Sequence, residues 1–308
     1  MADPLLKLGT RGSPLALAQA HETRDRLLAA HAWPTDAVKI EVFSTRGDEI
    51  LSKALTEIGG KGLFTQELEA ALHSGAIDIA VHSTKDMPTD LPDGLVLQHF
   101  LPREDPRDVF IGRHGESLDD LREGAVVGTA SLRRAALVKR QRPDVKTEVL
   151  RGNVQTRLKK LHDGVVDATL LALAGLNRLE MDIPGAIVLD PERFPPALAQ
   201  GAIGIESRAN DGRVHDLLAA IDDQETAITV QTERAFLNAL DGSCKTPIAG
   251  NASRNGDDIT ISGIVLKEDG SAFHEITDAG PAEQAEAIGR RAGANLKVKA
   301  GPRFLPHW

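Results

Sequence analysis

At 308 residues the chain is long enough for two or three ordinary domains, and 41% hydrophobic with 26% charged residues describes a folded globular protein, not a disordered or fibrous one. No stretch approaches the roughly 20 apolar residues of a membrane span, the start shows no apolar run of secretory-leader type, and the single Cys244 rules out an internal disulfide and fits a reducing cytoplasm. A net charge of −9 argues against general affinity for nucleic acid, and one cysteine with no histidine cluster at ligand spacing offers no metal site.

In chain order, residues 5–10 read as a first strand. Arg11-Gly12 makes a turn, and Ser13-Pro14 opens a helix with a good N-cap and proline at its first position. That helix runs to about residue 31 with Leu15, Leu17, Leu27 and Leu28 on its apolar side. Residues 38–45 form a second strand, followed by the loop Arg46-Gly47-Asp48. The glycine turn Gly59-Gly60-Lys61-Gly62 leads into a helix over 63–74 that Gly75 ends. It lacks the spacing and the Lys-Ser/Thr pair of a Walker loop. Lys61 is a candidate ligand contact and equally an ordinary surface lysine.

Residues 76–81 are short, apolar and branched, which predicts a buried strand and completes a β-α-β-α-β pattern with a mostly parallel sheet. Pro88 and Pro92 stop the strand, so His82, Ser83, Lys85 and Asp86 are expected on a loop at its carboxyl end. Ligands of α/β sheets bind at that edge. An aspartate there can stabilise a cation or move protons, although on this stretch alone a solvated Lys-Asp pair explains as much.

Residues 95–100 are a further strand, and residues 101–108 look like a domain boundary. Beyond it, strands over 126–129, 147–150 and 168–173 are each followed by a helix, and Arg133 with Arg134, Arg157 and Arg178 ride on those helices, with Arg151 at the second junction. Between residues 128 and 160 ten Lys/Arg face two acids, a surplus of eight that leaves the remainder at −17. The macrodipole disfavours arginine in a helix's first turn. The pattern therefore implies an anion held at one sheet edge, since helix N-termini with arginine forks bind carboxylates and phosphates. Solvated faces account for Lys159 and Lys160 and, on this reading, for Arg140 and Arg142. No aromatic residue in the band offers a base a stacking platform, so no nucleic-acid partner is expected.

Residues 194–206 read as a return segment into the first domain, and helices are expected to end near 223 and to run over 226–240. The loop Gly242-Ser243-Cys244-Lys245 follows. A lone cysteine is usually a small buried hydrophobe, but a loop position beside Lys245 favours thiolate character. Strands over 259–266 and 272–276, joined through Asp269-Gly270, and a helix over 281–295 close a small third domain.

These segments together resemble the hydroxymethylbilane synthase (porphobilinogen deaminase) family over nearly the whole chain. The landmarks are Arg11 to Ala16, the turn at residues 59–62, residues 80–86, residues 103–108, Ser131-Leu132-Arg133-Arg134, Leu150-Arg151-Gly152-Asn153, residues 200–206 and the Cys244 loop. The resemblance implies two periplasmic-binding-protein-like α/β domains with mixed sheets, over 1–101 with 197–220 and over 102–196. A small α+β C-terminal domain over 221–308 follows. It implies a transferase that joins four porphobilinogen units with loss of ammonia and releases hydroxymethylbilane by hydrolysis. A dipyrromethane cofactor is implied on Cys244 by a thioether, with Asp86 as the catalytic group. Lys85, Ser131, Arg133, Arg134 and Arg157 match the cofactor-binding positions, and Arg11, Ser13, Lys61, Arg151 and Arg178 the substrate-binding ones. A cytoplasmic monomer without metal, membrane or nucleic-acid partner is expected. Ala130, Ala199 and Ser243 depart from the residues usual in the family. The rival reading, a non-catalytic binding protein for a small polyanion, gives Cys244 nothing to do.

Overall fold

The computed structural model describes residues 4–44, 65–242, 246–305 and 308. The glycine turn with Lys61, the loop at 46–48 and residues 243–245 with Cys244 lie outside the described residues.

The first stretch gives β1 (Leu6–Arg11), α1 (Pro14–His31), β2 (Val38–Phe43), α2 (Gln66–His73), β3 (Ile79–Ser83) and β4 (Leu95–Phe100). The second gives β5 (Asp108–Gly112), β6 (Val126–Gly128), α3 (Leu132–Gln141), β7 (Lys146–Glu148), α4 (Val154–His162), β8 (Ala168–Ala172), α5 (Leu173–Arg178) and β9 (Ile187–Val188). Then come β10 (Ile203–Arg208), α6 (Gly212–Ala219), α7 (Gln224–Ala239), β11 (Ile248–Asn255), β12 (Asp258–Leu266), β13 (Phe273–Pro281) and α8 (Ala285–Ala300). Strands β5, β9, β10 and β11 are additions to what the sequence pattern predicts.

Two compact units result, and neither is continuous in sequence. Among the described residues, one takes the chain up to Glu104 together with Gly201–Ala227, and the other takes Asp105–Gln200 and Ile228–Trp308. Each holds a five-stranded mixed sheet of the same plan, in the orders β2-β1-β3-β10-β4 and β7-β6-β8-β5-β9. Three strands are parallel, the fourth runs antiparallel between the third and an edge strand, and that fourth strand comes from the crossing chain. β3 is buried on both faces, which is why it reads as an apolar run and not as an alternation. On one face Leu8, Ala20, Leu27, Ile79, Val81 and Ile205 pack together, and on the other Leu68, Leu72, Ile77 and Ala80 do.

The three-stranded antiparallel sheet β11-β12-β13 belongs with the second unit. Phe236 of α7 and Ile288, Ala292 and Leu296 of α8 fill its apolar face. α8 reaches α7 through glycines. A Cβ on Gly289 would come within 2.1 Å of the Thr232 carbonyl oxygen, and one on Gly293 within 2.6 Å of that of Phe236.

Candidate active site

In the first unit, β3 ends in the single turn Thr84–Asp86. His82 and Ser83 are the last residues of β3, not loop residues, because β10 pairs alongside them with Ile203 opposite Ser83 and Gly204 opposite His82. Ser83 is tied to buried Gln19 of α1 by hydrogen bonds of 2.9 and 3.1 Å. The Thr84 N–H donates to the Ala202 carbonyl at 3.0 Å, and the Met87 N–H closes the turn on the Thr84 carbonyl at 3.1 Å. Thr84 and Met87 are buried, Lys85 is half-buried and Asp86 is exposed. Arg11 ends β1, the parallel neighbour of β3, so Arg11 and Ser13 leave the sheet at the same edge as Asp86. The Ser13 hydroxyl accepts the Ala16 N–H at 3.2 Å and caps α1.

In the second unit, β6, β7 and β8 are parallel, and α3, α4 and α5 leave their carboxyl ends at one edge. Arg133 and Arg134 stand in the first turn of α3, 4% and 5% exposed. Both grip the fully buried Asp108 of β5, Arg133 at 2.7 Å and Arg134 at 2.6 Å, with Gln200 donating to the same carboxylate at 2.9 Å. Their other amino groups donate to the carbonyls of Pro195 and Leu170. Burial pushes the Asp108 carboxyl up, but the two guanidiniums outweigh it and hold it well below the ordinary carboxylate range. Two positive charges on one negative leave a buried surplus of one. The Nε–H groups of Arg133 and Arg134 are buried without hydrogen-bond partners.

Ser131 caps α3 by accepting the Arg134 N–H at 3.4 Å. Half-buried Arg151 precedes Gly152, and the Arg157 Nε–H donates to the Gly152 carbonyl at 2.8 Å. Gly152 sits at φ +118°, where a Cβ would meet Thr156 at 2.6 Å. Arg178 departs from the expected pattern. It closes the short α5 instead of opening it, so of these three helices α3 and the α4 junction carry arginine at the start and α5 does not. The rest of the basic band is also more structured than a solvated face. Arg140 lies 3.6 Å over the Phe273 ring, and Arg142 donates to the carbonyls of Leu118, Asp119 and Leu121, whereas Lys159 makes an ordinary surface pair with Asp163. A groove of about 490 Å³ beside α5, lined by Leu173, Leu176, Met181 and Ile183, contains none of these arginines.

A family model described as the dipyrromethane cofactor binding domain of porphobilinogen deaminase matches residues 6–216, and one for the C-terminal domain of that enzyme matches residues 227–298. The porphobilinogen deaminase of Nitrobacter winogradskyi is 53% identical over 303 residues, 98% of this chain and 96% of that one. The chain belongs to the porphobilinogen deaminase family. Among solved structures, a periplasmic binding protein of Salmonella typhimurium with high arginine specificity has a TM-score of 0.40 at 13% identity, covering 72% of this chain and 95% of its own. A periplasmic binding protein of Brucella ovis with glutathione bound gives 0.41 at 16%, covering 77% and 68%. The cofactor of the porphobilinogen deaminase family is a polycarboxylate, and the second unit fits one, with a buried surplus positive charge and two idle guanidinium donors. Among the described residues no His/Cys/Asp/Glu group is placed to hold a metal ion, and no helix is long and apolar enough to cross a membrane.

Proposed function

We propose that this chain joins four porphobilinogen units head to tail, releases one ammonia per unit, and frees hydroxymethylbilane by adding water. The observation that carries the reading is the pairing of two features in one chain of this family: an exposed aspartate on a turn at a parallel-sheet edge, and a set of arginines at the equivalent edge of a second sheet. When bound, the dipyrromethane supplies the nucleophilic pyrrole carbon from which the chain is extended. Cys244 holds it by a thioether, with Lys85, Ser131, Arg133, Arg134 and Arg157 on its carboxylates.

Asp86 accepts hydrogen bonds from the pyrrole N–H groups. Its negative charge stabilises the cation left as ammonia departs, and it takes part in removing the proton on the newly bonded pyrrole carbon, whose loss restores aromaticity. Arg11, Ser13, Lys61, Arg151 and Arg178 hold the acetate and propionate groups of arriving units. Arginine suits this work because its planar fork grips a carboxylate at two points without losing its charge. The chain is read as a cytoplasmic monomer with no nucleic-acid partner, in keeping with its net charge of −9 and single thiol. Residues 221–308 are read as the part that carries the cofactor.

Intact mass of the purified protein tests the reading. The mass should exceed that of the sequence by one dipyrromethane, and Cys244→Ser should lack the addition. Active protein of unmodified mass would end the proposal.

A further inference from the structure

The segment of residues 200–206 is a landmark of the sequence to which the reaction assigns no role, and the structure wraps it around the Asp86 turn. Ala202 receives the Thr84 N–H at 3.0 Å. Gly204 lies opposite His82 and leaves the space that Thr84 fills. A Cβ there would come within 2.8 Å of both Thr84 Oγ1 and Leu97 Cδ1. Beyond it, the pairing of β10 with β4 shifts register between Ile205 and Glu206. Such irregularities re-aim side chains. Glu206, fully buried, meets His82 at 3.0 Å between Oε2 and Nε2, diagonally across the ladder.

The polar groups around this bond are few. Glu69 of α2 is 8% exposed, and its carboxyl is raised, first by burial and further by the Glu206 carboxylate, against a lowering hydrogen bond from Thr65. Oε1 of Glu206 and Oε1 of Glu69 have no hydrogen-bond partner. A buried carboxylate with one unpartnered oxygen is a costly thing to keep in a core. Its single partner is His82, two residues ahead of the turn. Ser83, held by Gln19, does the same work on the opposite face of β3.

We propose that the His82–Glu206 pair is a positioning element for the Asp86 turn. It locks the end of β3 to β10 so that the carboxylate is presented in one place, with Gly204 and Ala202 forming the seat. This rests on Asp86 being the catalytic group. Errors of about 1 Å in such placement cost on the order of 100-fold in rate. Both side chains of the pair are buried and face each other, so its loss should lower turnover and spare binding.

The experiment compares the apolar double variant His82→Leu/Glu206→Met with His82→Gln, Gly204→Ala and Asp86→Asn, all as the cofactor-loaded full chain. Thermal midpoint, intact mass, KM and kcat for porphobilinogen are measured. Replacing both partners by apolar groups removes the buried charge, so the double variant keeps its midpoint and its cofactor while kcat falls at least ~10-fold with KM within about twofold. His82→Gln retains an N–H near the Nε2 position and recovers at least a third of the wild-type turnover. Gly204→Ala leaves both polar groups in place, pushes on Thr84 and lowers kcat, which keeps the test decisive if the double variant does not fold. Wild-type kcat in a folded double variant, or in Gly204→Ala, overturns the positioning role. So does a His82→Gln variant as slow as the apolar one. Asp86→Asn separates the two readings, because normal turnover there removes the catalytic assignment itself.

Discussion

Replacing Asp108 by asparagine tests whether the paired arginines are held by charge or merely by packing. The side chain keeps its size but loses its charge, leaving Arg133 and Arg134 buried with no counter-ion among the described residues. Each guanidinium lies 2.6–2.7 Å from an Asp108 oxygen. At an effective dielectric near 20, each attraction is about 4 kcal/mol for charge centres some 4 Å apart. Part of that is cancelled by repulsion between the arginines and by desolvation. Removing one member of such a buried group costs about 3–5 kcal/mol, or roughly 6–20 °C in thermal midpoint for a unit of this size.

Trp308 lies in the second unit and Trp33 in the first, so urea unfolding followed by fluorescence in a Trp33→Phe background reads the right part of the molecule. The pH dependence has a definite sign. The folded Asp108 carboxyl sits below its ordinary value of 3.8, so its contribution is complete above that value and is lost as pH falls through the folded one. The gap between wild type and Asp108→Asn should be constant from pH 7 to about 5 and narrow below about 4. A loss under about 1 kcal/mol at pH 7, or a gap that widens in acid, refutes the charge account.

Asp86→Asn is expected to give folded, cofactor-bearing protein that binds porphobilinogen and turns over at least ~100-fold more slowly, the scale of one lost electrostatic group. Steady-state kinetics check it, and near-normal turnover reduces Asp86 to a turn residue. Arg151→Lys and Arg157→Lys keep the charge and lose the two-point grip. Native mass spectrometry after limited substrate should show one or both stalled at fewer attached pyrrole units than wild type, and a wild-type ladder in both contradicts their assignment. Gly289→Ala should cost about 2–3 kcal/mol in urea unfolding, because the added methyl meets the Thr232 carbonyl at 2.1 Å and backbone cannot step aside.

Much of the architecture is legible in the sequence because capping and periodicity act locally. Ser13-Pro14 and Ser131 mark helix starts, and the apolar run before Asp86 marks the central strand. The failures are non-local. β5 begins at a polar Asp108 directly after a proline-bounded charged stretch, and it is a strand because β8 and β9 flank it. β11 spells Ile-Ala-Gly-Asn-Ala-Ser-Arg-Asn, poor in strand formers, and is held by its eight-residue pairing with β12. Nothing local to Arg133 and Arg134 signals that both pair with Asp108, some 25 positions away in the chain. Ala199 takes a left-handed φ of 59°, which explains why glycine is the usual residue there. His82 reads as a loop polar residue, and no local pattern signals that Glu206 would bury it.

The strand exchange has a consequence for the order in which the protein can be made. β10 is inserted between β3 and β4, yet 102 residues of chain, 101–202, separate the end of β4 from its start. At about 5–20 residues per second, the ribosome needs roughly 5–20 s to supply it after β4 has emerged. During that interval β3 and β4 each present an unpaired edge, the template on which chains aggregate. The first unit to be translated is therefore the one that must wait, and its half-built sheet is where a nascent-chain chaperone would be needed.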